Sequence, residues 1–202
     1  MAKNKTSGEA FLAKRCANLH ELEVKRERRS MQYPNCETVV RNGANQACMG
    51  LINDTVHLVF VGTAIPEGLT FPYTGDNKTP LKRIDDVFKT DLVNRAEQGD
   101  IDGIRQELIS LGIAFIDVTE TIWHKMNSSK DRDIKGYLVD ETALNLLKKL
   151  QAKKGDNLKI ISISKAAQAV LDDFGIVNIP CGLFYQSADP WIEALKALPG
   201  KK

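Results

Sequence analysis

Short apolar runs alternate with longer amphipathic stretches along most of the chain. From residue 56 onward the runs read as strands. Val56–Val61, Ile113–Val118, Leu158–Ile163 and Val177–Ile179 are each too short for a helix and are rich in β-branched residues. Helical periodicity fills the intervals. Leu81, Ile84, Val87 and Phe88 form one stripe; Asp100–Leu111 ends at Gly112, a residue suited to a helix C-terminus. Asp140–Lys153 turns Leu144, Leu147 and Leu150 inward, Lys165–Phe174 follows the third strand, and Pro190 opens a last helix reaching Leu198. Strands alternating with helices predict a three-layer α/β/α fold around a four-stranded, mainly parallel sheet.

The first 55 residues follow another pattern. Thr6 and Glu9 resemble a capping box, and Leu12, Cys16, Leu19 and Leu22 share one face of a helix running to Ser30. A basic cluster, Lys25-Arg26-Glu27-Arg28-Arg29, lies near its end and reads either as a solvated face or as a phosphate-contacting patch. Gln32–Asp54, with Pro34, Asn35, Gly43 and Gly50, reads as loop, as does the charged stretch Thr121–Gly136. The expected division is an N-terminal helical extension, 1–55, and an α/β domain, 56–202.

A net charge of +2 neither requires nor excludes a nucleic-acid partner. The four cysteines, Cys16, Cys36, Cys48 and Cys181, are scattered without a C-x-x-C pair; with a Lys-rich start lacking an apolar core, they predict a reduced cytoplasmic protein. Cys16, His20, Cys36 and Cys48 fit no familiar zinc spacing, so no metal and no cofactor is expected.

Chemistry concentrates where the first apolar run stops. Gly62-Thr63-Ala64-Ile65-Pro66 opens a Pro/Gly-rich segment carrying Phe71, Tyr73, Asp76 and Asn77. Open α/β sheets bind ligands at the carboxyl ends of their strands. Aromatics there suit a flat ligand, and Asp76 and Asn77 suit the handling of water; a Gly-Asp-Asn turn is the plainer reading of the pair. Asp117 ends the second strand on the same edge and reads as a cap for the following turn.

The order of these pieces resembles the uracil-DNA glycosylase superfamily, with its mismatch-specific and hypoxanthine-type branches nearest. That family has a strand ending in a G-I-N-P-G or G-T-A-P-S motif, an aromatic loop, and an N-R-F-W box. Here the matching text is Gly62–Pro66, then Phe71-Pro72-Tyr73-Thr74-Gly75-Asp76-Asn77-Lys78. A G-I-A-x-x-D-V strand matches Gly112–Val118, an apolar strand before a lysine matches Ile161–Ala167, and the final strand and loop match Ile179–Ser187. The N-R-F-W box reads Asn77-Lys78-Thr79-Pro80, so the identity of the base is not implied. Residues 1–55 have no counterpart.

The resemblance implies a monomeric, cofactor-free DNA glycosylase acting on a damaged or modified base, hypermodified phage-type bases included, in single- or double-stranded DNA. It implies Asp76 and Asn77 as catalytic residues. The family's first-motif water position falls on Ala64, with Thr63 beside it as a polar contact. Phe71 and Tyr73 would stack on the base, and Ser162 and Ser164 would contact its edge, although Ser164 also suits an N-cap. Lys78, Lys82 and Lys165 would meet phosphates. Gly182, Leu183, Phe184, Tyr185 and Ser187 would enter the duplex, the alternative being packing beneath the last helix. A catalytically inactive nucleic-acid-binding module of the same fold, and a nucleoside- or nucleotide-processing α/β enzyme, remain open alternatives.

Overall fold

The computed structural model describes residues 20–40, 52–63, 79–126, 133–180 and 189–198. Four parallel strands form the centre: β2 (Leu58–Gly62), β3 (Ile113–Asp117), β6 (Lys159–Ser162) and β7 (Ile179–Pro180), in spatial order β3-β2-β6-β7. Alternation along the strands directs their side chains into two cores. Leu58, Phe60, Ile113, Phe115 and Ile161 face one side. There they meet α2 (Thr79–Phe88), α3 (Leu92–Glu97), α4 (Ile101–Leu111) and α7 (Asp189–Lys196). Val59, Val61, Ala114, Ile116 and Ile160 face α5 (Glu141–Lys154) and α6 (Lys165–Asp173) on the other. Helices thus cover both faces of the sheet, as the alternating pattern predicts. On the first face Phe60 stacks on Phe115 (centroids 5.0 Å apart) and on Trp191 (3.9 Å).

Local chemistry fixes the helix ends. Asp100 accepts from the Gly103 amide at the start of α4, Asp140 from Ala143 at α5, and Ser164 from Ala167 at α6. Gly112 closes α4 in the left-handed region, at φ 69°. α3 has no local side-chain cap; Asp85 of α2 reaches over instead, accepting from the amides of Leu92 (2.8 Å) and Val93 (2.9 Å) and from Thr90 Oγ1 (2.6 Å).

Two stretches expected to be loop contain strands. β1 (Cys36–Val40), β4 (Thr119–Lys125) and β5 (Ile134–Val139) make an antiparallel sheet in the order β1-β4-β5. Thr121, Ile122 and Trp123, read as part of a loop, are buried strand residues, and Lys130, Asp131 and Arg132 of the charged stretch lie outside the described residues. The helix α1, described over residues 20–30, lies against this sheet. Arg26 hydrogen-bonds Glu120 and Thr121, Arg29 donates to the Tyr137 carbonyl, and the Trp123 indole donates to Ser30 Oγ. Two arginines of the basic cluster therefore hydrogen-bond the protein itself, Arg29 while remaining exposed. Tyr33 packs beside Trp123 and over Gly136. Leu12, Cys16 and Leu19 of the expected N-terminal helix lie outside the described residues.

Candidate functional site

The strand order makes β2 the turning point of the sheet. The chain proceeds outward from β2 to β3, then crosses to the other side to place β6 and β7. The element after β2 is α2 on one face of the sheet and that after β6 is α6 on the other, the topology at which open α/β sheets place ligands between the strands' carboxyl ends. Gly62-Thr63 and Ser162-Ile163-Ser164 stand at those ends.

The hydroxyls there are buried and fall into two separate hydrogen-bonded sets. The hydroxyls of Thr63 and Ser164 are hydrogen-bonded to each other, and Ser164 also accepts from the Ala167 amide at the start of α6. One hydroxyl proton bridges the pair, which leaves the other unused in that bond. Thr119 donates from its hydroxyl to the Thr63 carbonyl, and its amide donates there as well (3.2 Å), so the exit of β2 is tied to the chain beyond β3. Ser162 donates to Asn178 Oδ1 (2.9 Å), and the Asn178 amide donates to Asp172 (2.8 Å) and the Ile176 carbonyl (3.1 Å). The N-terminal turn of α6, with its partial positive charge, begins directly after Ser164 at the same strand end.

Asp117 ends β3 on the face of the sheet that Phe60, Phe115 and Ile163 share, opposite to that of Ser162. It stands in register with Gly62 and is 3% exposed. A Cβ placed on Gly62 would lie 2.2 Å from Asp117 Oδ1 and 3.5 Å from Ile163 Cδ1. The carboxylate therefore lies across the end of β2, in space that a side chain at position 62 would fill. Neither this reach nor the roles of Thr119 and Asn178 was foreseen; the Gly-to-Asp register emerges only once β2 and β3 are paired.

Of the residues expected to form the site, Thr63 and Ser164 come together, while Ser162 at the end of β6 bonds Asn178 instead. Lys165 is the exposed first residue of α6, beside them in sequence. Lys82 is exposed on α2, in the opposite helix layer, with Asp86 Oδ2 at 3.4 Å. Ala64, Phe71, Tyr73, Asp76, Asn77 and Lys78, and Gly182, Leu183, Phe184, Tyr185 and Ser187, lie outside the described residues. The segment 64–78 begins directly after Thr63, and 181–188 directly after β7.

A separate cleft of about 350 Å³ lies between α1, β4 and the β5–α5 turn, bordered by Glu21, Lys25, Glu120, Asp140 and Glu141. Its acids are largely engaged: Glu21 with Lys25 at 2.9 Å, Glu120 with Arg26, and Asp140 with the Ala143 amide. The Lys25 ammonium holds the Glu21 carboxyl below its ordinary range. Among the described residues no cluster of three metal-ligating side chains occurs, and no helix is long and apolar enough to cross a membrane.

No protein-family model and no curated protein matches the sequence. The fold has a counterpart among solved structures. A solution NMR structure from Methanosarcina acetivorans, of a protein provisionally described as a uracil DNA glycosylase, superposes with a TM-score of 0.53. The match covers 74% of this chain and 95% of that one, at 11% sequence identity. The chain thus has a uracil-DNA-glycosylase-like fold.

Proposed function

We propose that the protein is a DNA glycosylase that hydrolyses the N-glycosidic bond of a damaged or modified base turned out of the helix. The feature that supports this reading is the turning point of the sheet, between the carboxyl ends of β2 and β6. Buried hydroxyls and a helix N-terminus meet there, and the segments bearing the remaining candidates leave from the ends of β2 and β7.

Base excision requires a pocket for a flat ring, a positioned water, and donors that stabilise negative charge on the departing base. Asp76 and Asn77 handle the water. Phe71 or Tyr73 stacks on the ring, each stack contributing roughly 1–3 kcal/mol. Thr63, Ala64, Ser162 and Ser164 border the base edge. Lys78, Lys82 and Lys165 meet phosphates, and the 182–187 segment fills the gap left in the duplex. The protein acts as a cytoplasmic monomer without metal or cofactor, its catalytic unit being residues 56–202 with residues 1–55 as an extension. The mismatch-specific and hypoxanthine-type branches are its nearest functional models.

The test is a panel of oligonucleotides carrying uracil, hypoxanthine or hypermodified pyrimidines, assayed for abasic sites. Release from at least one supports the reading; no release and no DNA binding removes it. One observation favours a non-catalytic DNA-binding module instead: Ser162 and Ser164 already bond to Asn178 and to the α6 amide. DNA binding without release by the parent would select that module. If the parent does release a base, equal release by an Asp76→Ala/Asn77→Ala double variant would remove those two residues from the chemistry.

A further inference from the structure

We propose that Thr119 is a positioning residue of this site, its hydroxyl holding the point where the chain leaves β2. The proposal rests on the base-excising reading above. β2 and β3 pair as far as Gly62 and Asp117, and two further bonds prolong the contact. The Val118 amide donates to the Gly62 carbonyl (3.1 Å) and the Thr119 amide to the Thr63 carbonyl (3.2 Å). The Thr119 hydroxyl donates to that same Thr63 carbonyl. Both lone pairs of the oxygen are thereby engaged. A peptide unit is planar, so a carbonyl held by two donors fixes the plane in which the chain departs from Thr63. The Thr63 side chain is held as well, by the Ser164 hydroxyl that caps α6. The segment 64–78, which bears Phe71, Tyr73, Asp76 and Asn77, begins at the next residue.

Packing alone would not call for this hydroxyl. Thr119 is fully buried at the start of β4. Valine has nearly the same shape, suits a buried strand, and brings no polar atom that needs a partner. The Thr63 carbonyl already accepts from the Thr119 amide, so the hydroxyl does not rescue an unsatisfied acceptor. What the second donor adds is direction. Thr119 is itself anchored: it pairs with Val139 of β5, and the Asp140 amide donates to the Val118 carbonyl (2.8 Å). The base of the β4–β5 hairpin thus stands behind the exit of β2 and steadies the point from which the water- and base-handling segment starts. Such placement matters to the rate, since an error of about 1 Å in a positioned group can cost about 100-fold.

The experiment uses the full chain and the variants Thr119→Val, Thr119→Ser and Thr121→Val. The probes are the oligonucleotide that the parent cleaves best and an unmodified duplex of the same sequence. Thermal midpoint, affinity for the unmodified duplex by fluorescence anisotropy, and single-turnover release rate are measured for each. Val keeps the shape and loses the hydroxyl; Ser keeps the hydroxyl. T121V removes another buried hydroxyl of β4, one bonded to Arg26 rather than to Thr63, and so reports general loosening of the strand. The expected result is T119V with affinity within about threefold of the parent and a release rate lowered about 10-fold or more, with T119S and T121V within about threefold of the parent's rate. A T119V rate within about threefold of the parent overturns the proposal while leaving the glycosylase reading intact. So does T119S or T121V as slow as T119V, because the hydroxyl on Thr63 is then not the cause. Failure of T119V to fold overturns it too, since the hydroxyl is then required by the structure itself. A parent inactive on every oligonucleotide removes the glycosylase reading and this one with it.

Discussion

Replacing Gly62 by Ala tests the placement of Asp117 over the end of β2 through stability alone. The glycine has no positive φ, so an alanine would fit its backbone. In open space the change would stabilise by about 0.4–1 kcal/mol, by restricting the unfolded chain. Here the new methyl would stand 2.2 Å from Asp117 Oδ1, more than an ångström inside contact distance, with Ile163 Cδ1 3.5 Å away. Either β2 shifts within a closely packed sheet, or the buried carboxylate moves from its place. Overpacking costs about 1–3 kcal/mol, and disturbing a buried polar group adds about 1–3 kcal/mol. After subtracting the chain-entropy gain, the expected loss is about 3 kcal/mol, or roughly 6–12 °C in midpoint for a domain of this size. Urea and thermal unfolding of four proteins give the answer: parent, G62A, D117A and G62A/D117A. With the carboxylate removed, the alanine should become neutral or mildly stabilising, a coupling of about 3 kcal/mol. A G62A protein within about 0.5 kcal/mol of the parent, or one that loses as much in the D117A background, would refute the placement of Asp117 over β2.

Asp85→Ala removes the acceptor shared by Leu92, Val93 and Thr90 and should lower stability by about 2–3 kcal/mol with an unchanged urea m-value. Gly136→Ala would place a methyl 2.6–2.9 Å from the Tyr33 ring and push it off Trp123. A loss of about 1 kcal/mol is expected, with a change in tryptophan emission that a Tyr33→Ala background abolishes. The Asp54 carboxyl is held below its ordinary range chiefly by the Lys153 ammonium bonded to it. Its contribution is therefore present above the unfolded-state value and lost as pH falls through the folded one; an NMR titration should show the lowered value returning to normal in Lys153→Ala or high salt.

The parallel sheet was legible because its strands are buried on both faces and so read as unbroken apolar runs, Leu58–Val61 most clearly. Helix ends were legible where the cap is local, as at Gly112. α3 escaped notice: it is six residues long, and its cap, Asp85, sits on another helix. The antiparallel sheet escaped for a related reason. β1 pairs with a strand some eighty residues away, and its Cys-Glu-Thr-Val-Val has no apolar periodicity of its own. At the site, Thr63, Ser162 and Ser164 were visible because each stands at or just past the end of an apolar run. Asp117 was read only as a cap, because its reach over Gly62 depends on which strand lies beside which.

The pairing of β1 with β4 also bears on where this chain tolerates being cut. A version begun at residue 56 would uncover one whole side of β4, removing the main-chain partners of Thr121–Lys125 together with the Tyr33 and Ser30 cover of Trp123. The result would be a raw strand edge beside a large aromatic, a template for pairing between molecules. Residues 26–40 cover this edge of β4 and Trp123, and any shortened version of the chain should keep them.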